Sequence, residues 1–209
     1  MEKVFTLILP ILNSEIEIDI KNPLNNLIGL YLQFDTKQIT TETLEQIFNL
    51  EINLAIELYD LSIDDPTLSW INDCISVFEG IYMRISEETG VQMSVTQFKE
   101  LVDQKEPKFI LSAISALISA ISVIPENFDS QIDTIFSQLL NLLDNKDKYI
   151  QKFASEALSN IAPDFTDFIT NNITEIVNAI LFFIKEGVEN GTSLLSAIIN
   201  STSITDEIF

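Results

Sequence analysis

Apolar residues at Ile132, Ile135, Phe136, Leu139, Leu140 and Leu143 recur at the three-and-four spacing of one helix face. After a few polar residues around Asn145 to Asp147 the pattern restarts at Ile150, Phe153, Ala154, Ala157, Leu158 and Ile161. A link that short forces the two helices to fold back on each other as an antiparallel hairpin. Asp129 or Ser130 is placed to cap the first helix, and Pro163 stops the second.

The same unit recurs along the chain. Pro23, Pro66 and Pro107 each follow a polar residue and open a helical pattern, and proline is favoured at a first helical position because its missing N–H costs nothing there. The later helix of each hairpin is expected to begin near residues 23, 66, 107, 147 and 188. The earlier helices fall near 3–12, 41–61, 94–104, 130–143 and 172–185. A period of about 40 residues is that of two-helix solenoid repeats. Gly90 and Gly187 sit where helix C-caps are expected, and Ser94 and Gln97 have capping-box spacing. The alternating stretch SEIEIDI, 14–20, reads as a connector, because a lone strand has no partner to persist with. The expected fold is all-α, a right-handed α-solenoid of about five antiparallel helix hairpins. One domain is expected over 1–200, with 201–209 a frayed tail.

The stretch LLDNKDKYIQKFASEALSNIA, 142–162, resembles a HEAT repeat. Asp144 or Asp147 stands for the Asp that ends the first helix of such repeats, and Ile150 for the aliphatic residue that opens the second. Ala154, Ala157 and Leu158 match the inner face. Gln151 fills the usual Arg position, with Lys152 next to it, which removes the expected Asp–Arg link. Residues 132–159 are also similar to a segment of the large HEAT-repeat scaffold of the small-subunit processome, which implies a role in ribosome assembly.

Composition narrows the chemistry. The 209 residues are 46% hydrophobic, enough for a substantial core, and only five glycines and six prolines occur, few for a turn-rich β protein. No histidine is present, which removes the common proton shuttle and the histidine-based triads and zinc sites. The single Cys74 builds neither a disulfide nor a thiolate cluster, and its apolar helical surroundings make it a buried structural thiol. The glycines form no phosphate loop, and DNKDK at Asp144 lacks the later ligands of a calcium loop. No enzymatic activity, metal or cofactor is expected. Glu2, Pro10 and the lack of a small-residue cleavage site argue against reading VFTLILPIL as a signal peptide, so an intracellular setting, cytoplasmic or nuclear, is expected. FILSAISALISAISVI, 109–124, is uncharged but short for a membrane span; its serines at 112, 115, 119 and 122 make it a central helix of a water-soluble bundle.

Thirty-two acidic residues face eleven basic ones, a formal net charge of −21. Such a field repels phosphate and favours basic proteins or peptides over free nucleic acid or an anionic membrane. Five lysines run against it. Lys105 and Lys108 flank the turn inside the third hairpin, and Lys146, Lys148 and Lys152 the equivalent turn of the fourth. Equivalent turns of a solenoid stack along one edge, so these five are the candidate partner-binding residues, suited to an acidic or phosphate-bearing partner. The plainer explanation is that they keep turns soluble. Arg84, with Glu87 and Glu88 at the helical offsets, is expected to form a surface ion pair. The functional expectation is a non-enzymatic interaction module that binds another protein or peptide. The alternatives are docking in a ribonucleoprotein of ribosome assembly, and an acidic decoy of nucleic acid of viral type.

Overall fold

The computed structural model describes residues 2–34, 39–61, 65–185, 187 and 191–201. The helices are α1 (Glu2–Leu12), α2 (Ile18–Phe34), α3 (Thr41–Tyr59), α4 (Asp65–Tyr82), α5 (Glu87–Val102), α6 (Pro107–Val123), α7 (Ile132–Leu142), α8 (Lys148–Ile161), α9 (Thr166–Lys185) and α10 (Gly191–Ser201). Two short 3-10 turns, Pro125–Asn127 and Ala162–Phe165, precede α7 and α9. Every described element is helical, and each of the five hairpins expected from the sequence has its helix pair. The chain divides into two compact units, Met1–Ile124 and Pro125–Phe209.

In the first unit the later helices of successive hairpins pack side by side, α2 on α4 and α4 on α6, while α3 and α5 both rest on α6. Helix α2 runs parallel to α4: Asn22 and Asn26 meet Asp73, Gly29 meets Val77, and Leu32 meets Gly80. From Ile110 to Ile121 helix α6 is buried almost all round, as the absence of charge after Lys108 implies. Ser112, Ser115 and Ser119 each donate to the carbonyl four residues back, which satisfies their hydroxyls inside the core, and Tyr59 of α3 bonds the Ser115 hydroxyl at 2.8 Å. In the second unit α7 packs on α8, α9 on α10, and the equivalent helices α7 with α9 and α8 with α10. Leu139, Ala157 and Leu158 are fully buried there, as the hydrophobic pattern requires. Phe153 is only half-buried.

Several boundaries differ from the sequence reading. Helix α5 starts at Glu87 because Ser86 is its cap, accepting from the Thr89 amide, so Ser94 lies buried in mid-helix and donates to the Val91 carbonyl. Gly90 is likewise inside α5, where a Cβ would meet Ile124 and Ile85, and is a packing residue rather than a C-cap. Gly187 does take the left-handed conformation after α9, at φ 80°. Helix α2 begins at Ile18, so the connector shrinks to Asn13–Glu17 and Pro23 falls inside the helix. It stands in the second turn, past the positions where a missing N–H costs nothing, so the Asp19 carbonyl four residues back has no helical donor. Helix α9 starts at Thr166, six residues ahead of expectation, because the 3-10 turn around Pro163 leads directly into it. Of the tail expected over 201–209, Ser201 still belongs to α10, and 202–209 lie outside the described residues.

A Cβ at Gly80 would stand 2.8 Å from the Leu32 Cβ, an atom with no freedom to swing away. Gly80→Ala is therefore expected to push α4 off α2 and to cost roughly 1–3 kcal/mol. A urea titration of the variant beside the wild type measures this, and unchanged stability would show that the two helices do not approach as closely as described.

Candidate functional site

The turn from α7 to α8 explains the sequence's most unusual stretch. Its backbone is closed by Asp144 and Asn145 amides on the last carbonyls of α7, and by Asn145 Oδ1 accepting from the Asp147 amide at 2.9 Å. Asp147 then caps α8, its carboxylate accepting from the Tyr149 and Ile150 amides. Gln151, which replaces the arginine of the usual repeat, is buried and donates from Nε2 to the Leu143 and Asn145 carbonyls at 3.1 and 2.7 Å. It does within its own hairpin what a link to a neighbouring repeat would do between hairpins. Lys148 donates to Gln151 Oε1 at 3.1 Å, Lys146 is exposed, and Lys152 is half-buried.

The equivalent turn of the first unit is built differently. Lys105 is exposed at φ 64°, a left-handed residue that closes α5 through its amide on the Val102 carbonyl. Lys108 is engaged: its ammonium lies 3.1 Å from Asp60, 3.8 Å from Glu106 and 5.6 Å from the centre of the Phe109 ring. Asp60 ends α3, so this pair ties the α3–α4 turn to the α5–α6 turn. Of the five sequence-selected lysines, Lys105 and Lys108 flank the α5–α6 turn of the first unit and Lys146 and Lys148 the α7–α8 turn of the second, whereas Lys152 lies one turn inside α8. Arg84 donates from Nε to the Leu32 carbonyl near the end of α2, a capping contact that spacing to Glu87 and Glu88 did not signal.

Two grooves were not foreseen. In the first unit a groove of about 500 Å³ runs between α3 and α5, with Glu45 and Glu88 beside the amides of Asn49, Gln92 and Gln97 and the thioether of Met93. In the second unit a bowl of about 770 Å³ is framed by the two 3-10 turns and the starts of α7 and α9. Five carboxylates surround it, Glu126, Asp129, Asp133, Asp164 and Asp167, over a floor that includes Phe165 and Phe168, and among the described residues no basic one lines it. Partial burial, and then the charge of Glu126, push the Asp164 carboxyl above its ordinary range. Acids at helix starts are favoured by the helix dipole, which is the local reason for Asp133 and Asp167. Along the sequence these residues look scattered; only hairpin stacking gathers them.

The most perturbed carboxyl lies elsewhere. Glu51 of α3 is 2% exposed, accepts from Asn25 Nδ2 of α2 at 3.0 Å, and faces Cys74 of α4. Burial pushes its pKa up to about 8, the bonds from Cys74 and Asn25 oppose the shift, and the charge of Asp73 adds to it. Burial, and then Glu51, also push the Cys74 thiol up, so the inert structural thiol expected from the sequence is what the fold contains. Among the described residues no group of three or more acidic or thiol side chains has the arrangement of a metal site. One helical stretch, Lys148–Lys185, is long and apolar enough to cross a bilayer by length and composition, but the 3-10 turn at Ala162–Phe165 breaks it into α8 and α9.

Two outcomes follow from these contacts. Gln151→Ala leaves the Leu143 and Asn145 carbonyls without their donor and is expected to cost roughly 1–3 kcal/mol in a denaturant titration, with Gln151→Glu no better. Glu51 holds its proton in the folded state up to about pH 8 and loses it near the ordinary carboxyl value when unfolded. Its contribution is thus complete below the unfolded value and fades as pH rises through about 8. Glu51→Gln, a permanent neutral mimic, should gain stability relative to wild type between pH ~5 and ~8. Parallel stability–pH curves for the two proteins would contradict the assignment.

No curated protein matches the chain. Among solved structures it is similar to a computationally designed armadillo repeat protein described as made for modular peptide recognition, at 15% identity and a TM-score of 0.49, covering 97% of this chain and 87% of that one. A second designed armadillo repeat protein is similar at 15% identity and a TM-score of 0.45, covering 96% and 86%. The sequence expectation of two-helix repeats is met by the paired helices of both units and by a family model, described as the HEAT repeats of stalled ribosome sensor GCN1-like proteins, that matches residues 41–198. With most of its length matched, the chain belongs to this family of HEAT-repeat proteins.

Proposed function

We propose that this chain is a non-catalytic interaction module that binds a basic segment of another protein. The observation that carries the reading is the bowl of the second unit, where five carboxylates surround two aromatic rings and no basic side chain intervenes among the described residues. Its carboxylates suit lysine and arginine heads, and Phe165 and Phe168 suit their aliphatic stems. The net charge of −21 adds long-range attraction for such a segment. The amides of the α3–α5 groove offer backbone hydrogen bonds to an extended chain, a second contact of the same kind. The repeats count as one domain over 1–200 in this reading, supported by a family match that runs across Ile124. An intracellular setting is supported by the family's description and by the unpaired Cys74.

A second reading is docking in a ribonucleoprotein, favoured by the description of the family as like a stalled ribosome sensor. Here the lysine turns would meet phosphate: Lys146, Lys148 and Lys152 in the second unit, with Lys105 and Lys108 in the first. Helix α7 joins the acidic bowl to the three-lysine turn, and its 11 residues set them about 16 Å apart. The two readings therefore use opposite ends of the same hairpin and are separable by mutation.

A labelled peptide of about 12 residues alternating arginine and serine, and a short single-stranded RNA, serve as probes. Asp129→Asn, Asp133→Asn, Asp164→Asn and Asp167→Asn together should weaken the peptide about tenfold or more at low salt, with helix content retained. Reversal of Lys146, Lys148 and Lys152 to Glu should leave peptide binding unchanged or slightly stronger. Peptide affinity insensitive to the four neutralised acids would sink the first reading. Salt-dependent RNA binding lost on lysine reversal would establish the second.

A further inference from the structure

Helix α2 keeps one apolar face that the fold does not use. Asn25, Ile28, Gly29 and Leu32 face the core and α4, whereas Ile20, Leu27 and Leu30 are 52%, 53% and 52% exposed. With Pro23, which is also exposed, they follow the three, four, three spacing of a helix-packing seam. The stripe lies on the side of α2 away from α4, at the edge of the layer that α2, α4 and α6 form. Helix α1 adds Leu7 and Ile11, 70% and 40% exposed. No other cluster of exposed large hydrophobic residues on consecutive helices is as large among the described residues.

Charge around the stripe is one-sided. Glu15, Glu17 and Asp19 are exposed at the start of α2, and the remainder of the helix has a single charged residue, Lys21. Lys21 is buried and bound to Glu57 at 2.7 Å, so it does not offset them. A helix laid antiparallel on α2 brings its C-terminal end to these carboxylates. That end carries the negative pole of its dipole, which these carboxylates repel, so cations in its last turn are required there and are held by both the pole and the carboxylates. We propose that the stripe docks an amphipathic helix of a partner protein, antiparallel to α2 and carrying lysine or arginine in its last turn.

A second copy of this chain fits less well. Its net charge of −21 opposes self-association, and α2 has no basic residue in its own last turn. Helix α9 does end in Lys185 with Leu181 and Phe182 exposed, but that is a single cation, and the sequence that follows brings Glu186 and Glu189 and no further basic residue. The proposal concerns a surface distinct from the acidic bowl, and it stands or falls independently of the function proposed above.

The test uses the full chain and two synthetic helical peptides of about 16 residues with the same leucine stripe, one with lysines in its last turn and one with them in its first. The last-turn peptide should bind at least about fivefold tighter, with the difference shrinking as salt rises. Leu27→Gln with Leu30→Gln should weaken it about tenfold or more while leaving the circular dichroism unchanged. Glu15→Gln, Glu17→Gln and Asp19→Asn together should abolish the preference between the two peptides. The four-acid bowl variant should bind the last-turn peptide as the wild type does. Equal affinity for both peptides, binding unaffected by the Leu27 and Leu30 changes, or binding lost only in the bowl variant would each overturn the proposal. So would sedimentation of the wild type as a dimer that the Leu27 and Leu30 changes dissociate, since a second copy would then be the occupant.

Discussion

A helix in a stack of hairpins needs two apolar faces, one for its hairpin partner and one for the hairpin next to it. This requirement governs the molecule. Helix α6 meets it most fully: it is shared by α3, α4 and α5, carries no charge after Lys108, and hides three serines by turning their hydroxyls onto its own backbone. Helix α2 also meets its hairpin partner α1 and the next hairpin through α4, yet keeps Ile20, Leu27 and Leu30 in water on a third face.

The number of helices and their pairing were legible because they depend on local signals. A period of three and four, a proline at a helix start and an Asp or Ser cap all act within one turn of chain, and Pro107 and Asp147 mark α6 and α8 to within a residue. Where two local signals compete, packing decides. Ser94 with Gln97 has the better capping-box spacing, yet Ser86 starts the helix, because Ser94 lies on the face turned to the core. The environment of Glu51 was not legible at all. Nothing near it in sequence marks a carboxyl held by Asn25 and facing Cys74, residues 26 and 23 positions away on two other helices.

The site was legible in part for the same reason. Lysines at a turn can be counted along the chain, and the turns are where the sequence put them. What each lysine does depends on its neighbours: Lys108 is held by Asp60 from another hairpin, Lys148 by Gln151, while Lys146 projects into solvent. The acids of the bowl come from two short stretches, 126–133 and 164–167, that meet only when α7 and α9 lie side by side. Gln151 belongs to both categories. Its sequence position is that of an inter-repeat arginine, and its amide instead locks a single turn. Between neighbouring hairpins of the first unit, apolar contact is joined by polar links that include the ion pairs Lys21–Glu57 and Lys108–Asp60 and the Asn25–Glu51 hydrogen bond.

The central place of α6 has a consequence for how the first unit comes apart. Three helices cover it, so its amides reach solvent only when all three have moved, and they should be the last of that unit to exchange their hydrogens. Helix α1, with leucine and isoleucine side chains already in water, can lift away without disturbing that contact. The unit is therefore graded, loose at its amino-terminal margin and cooperative at α6, and a partner helix seated on α2 would tighten the end that opens first.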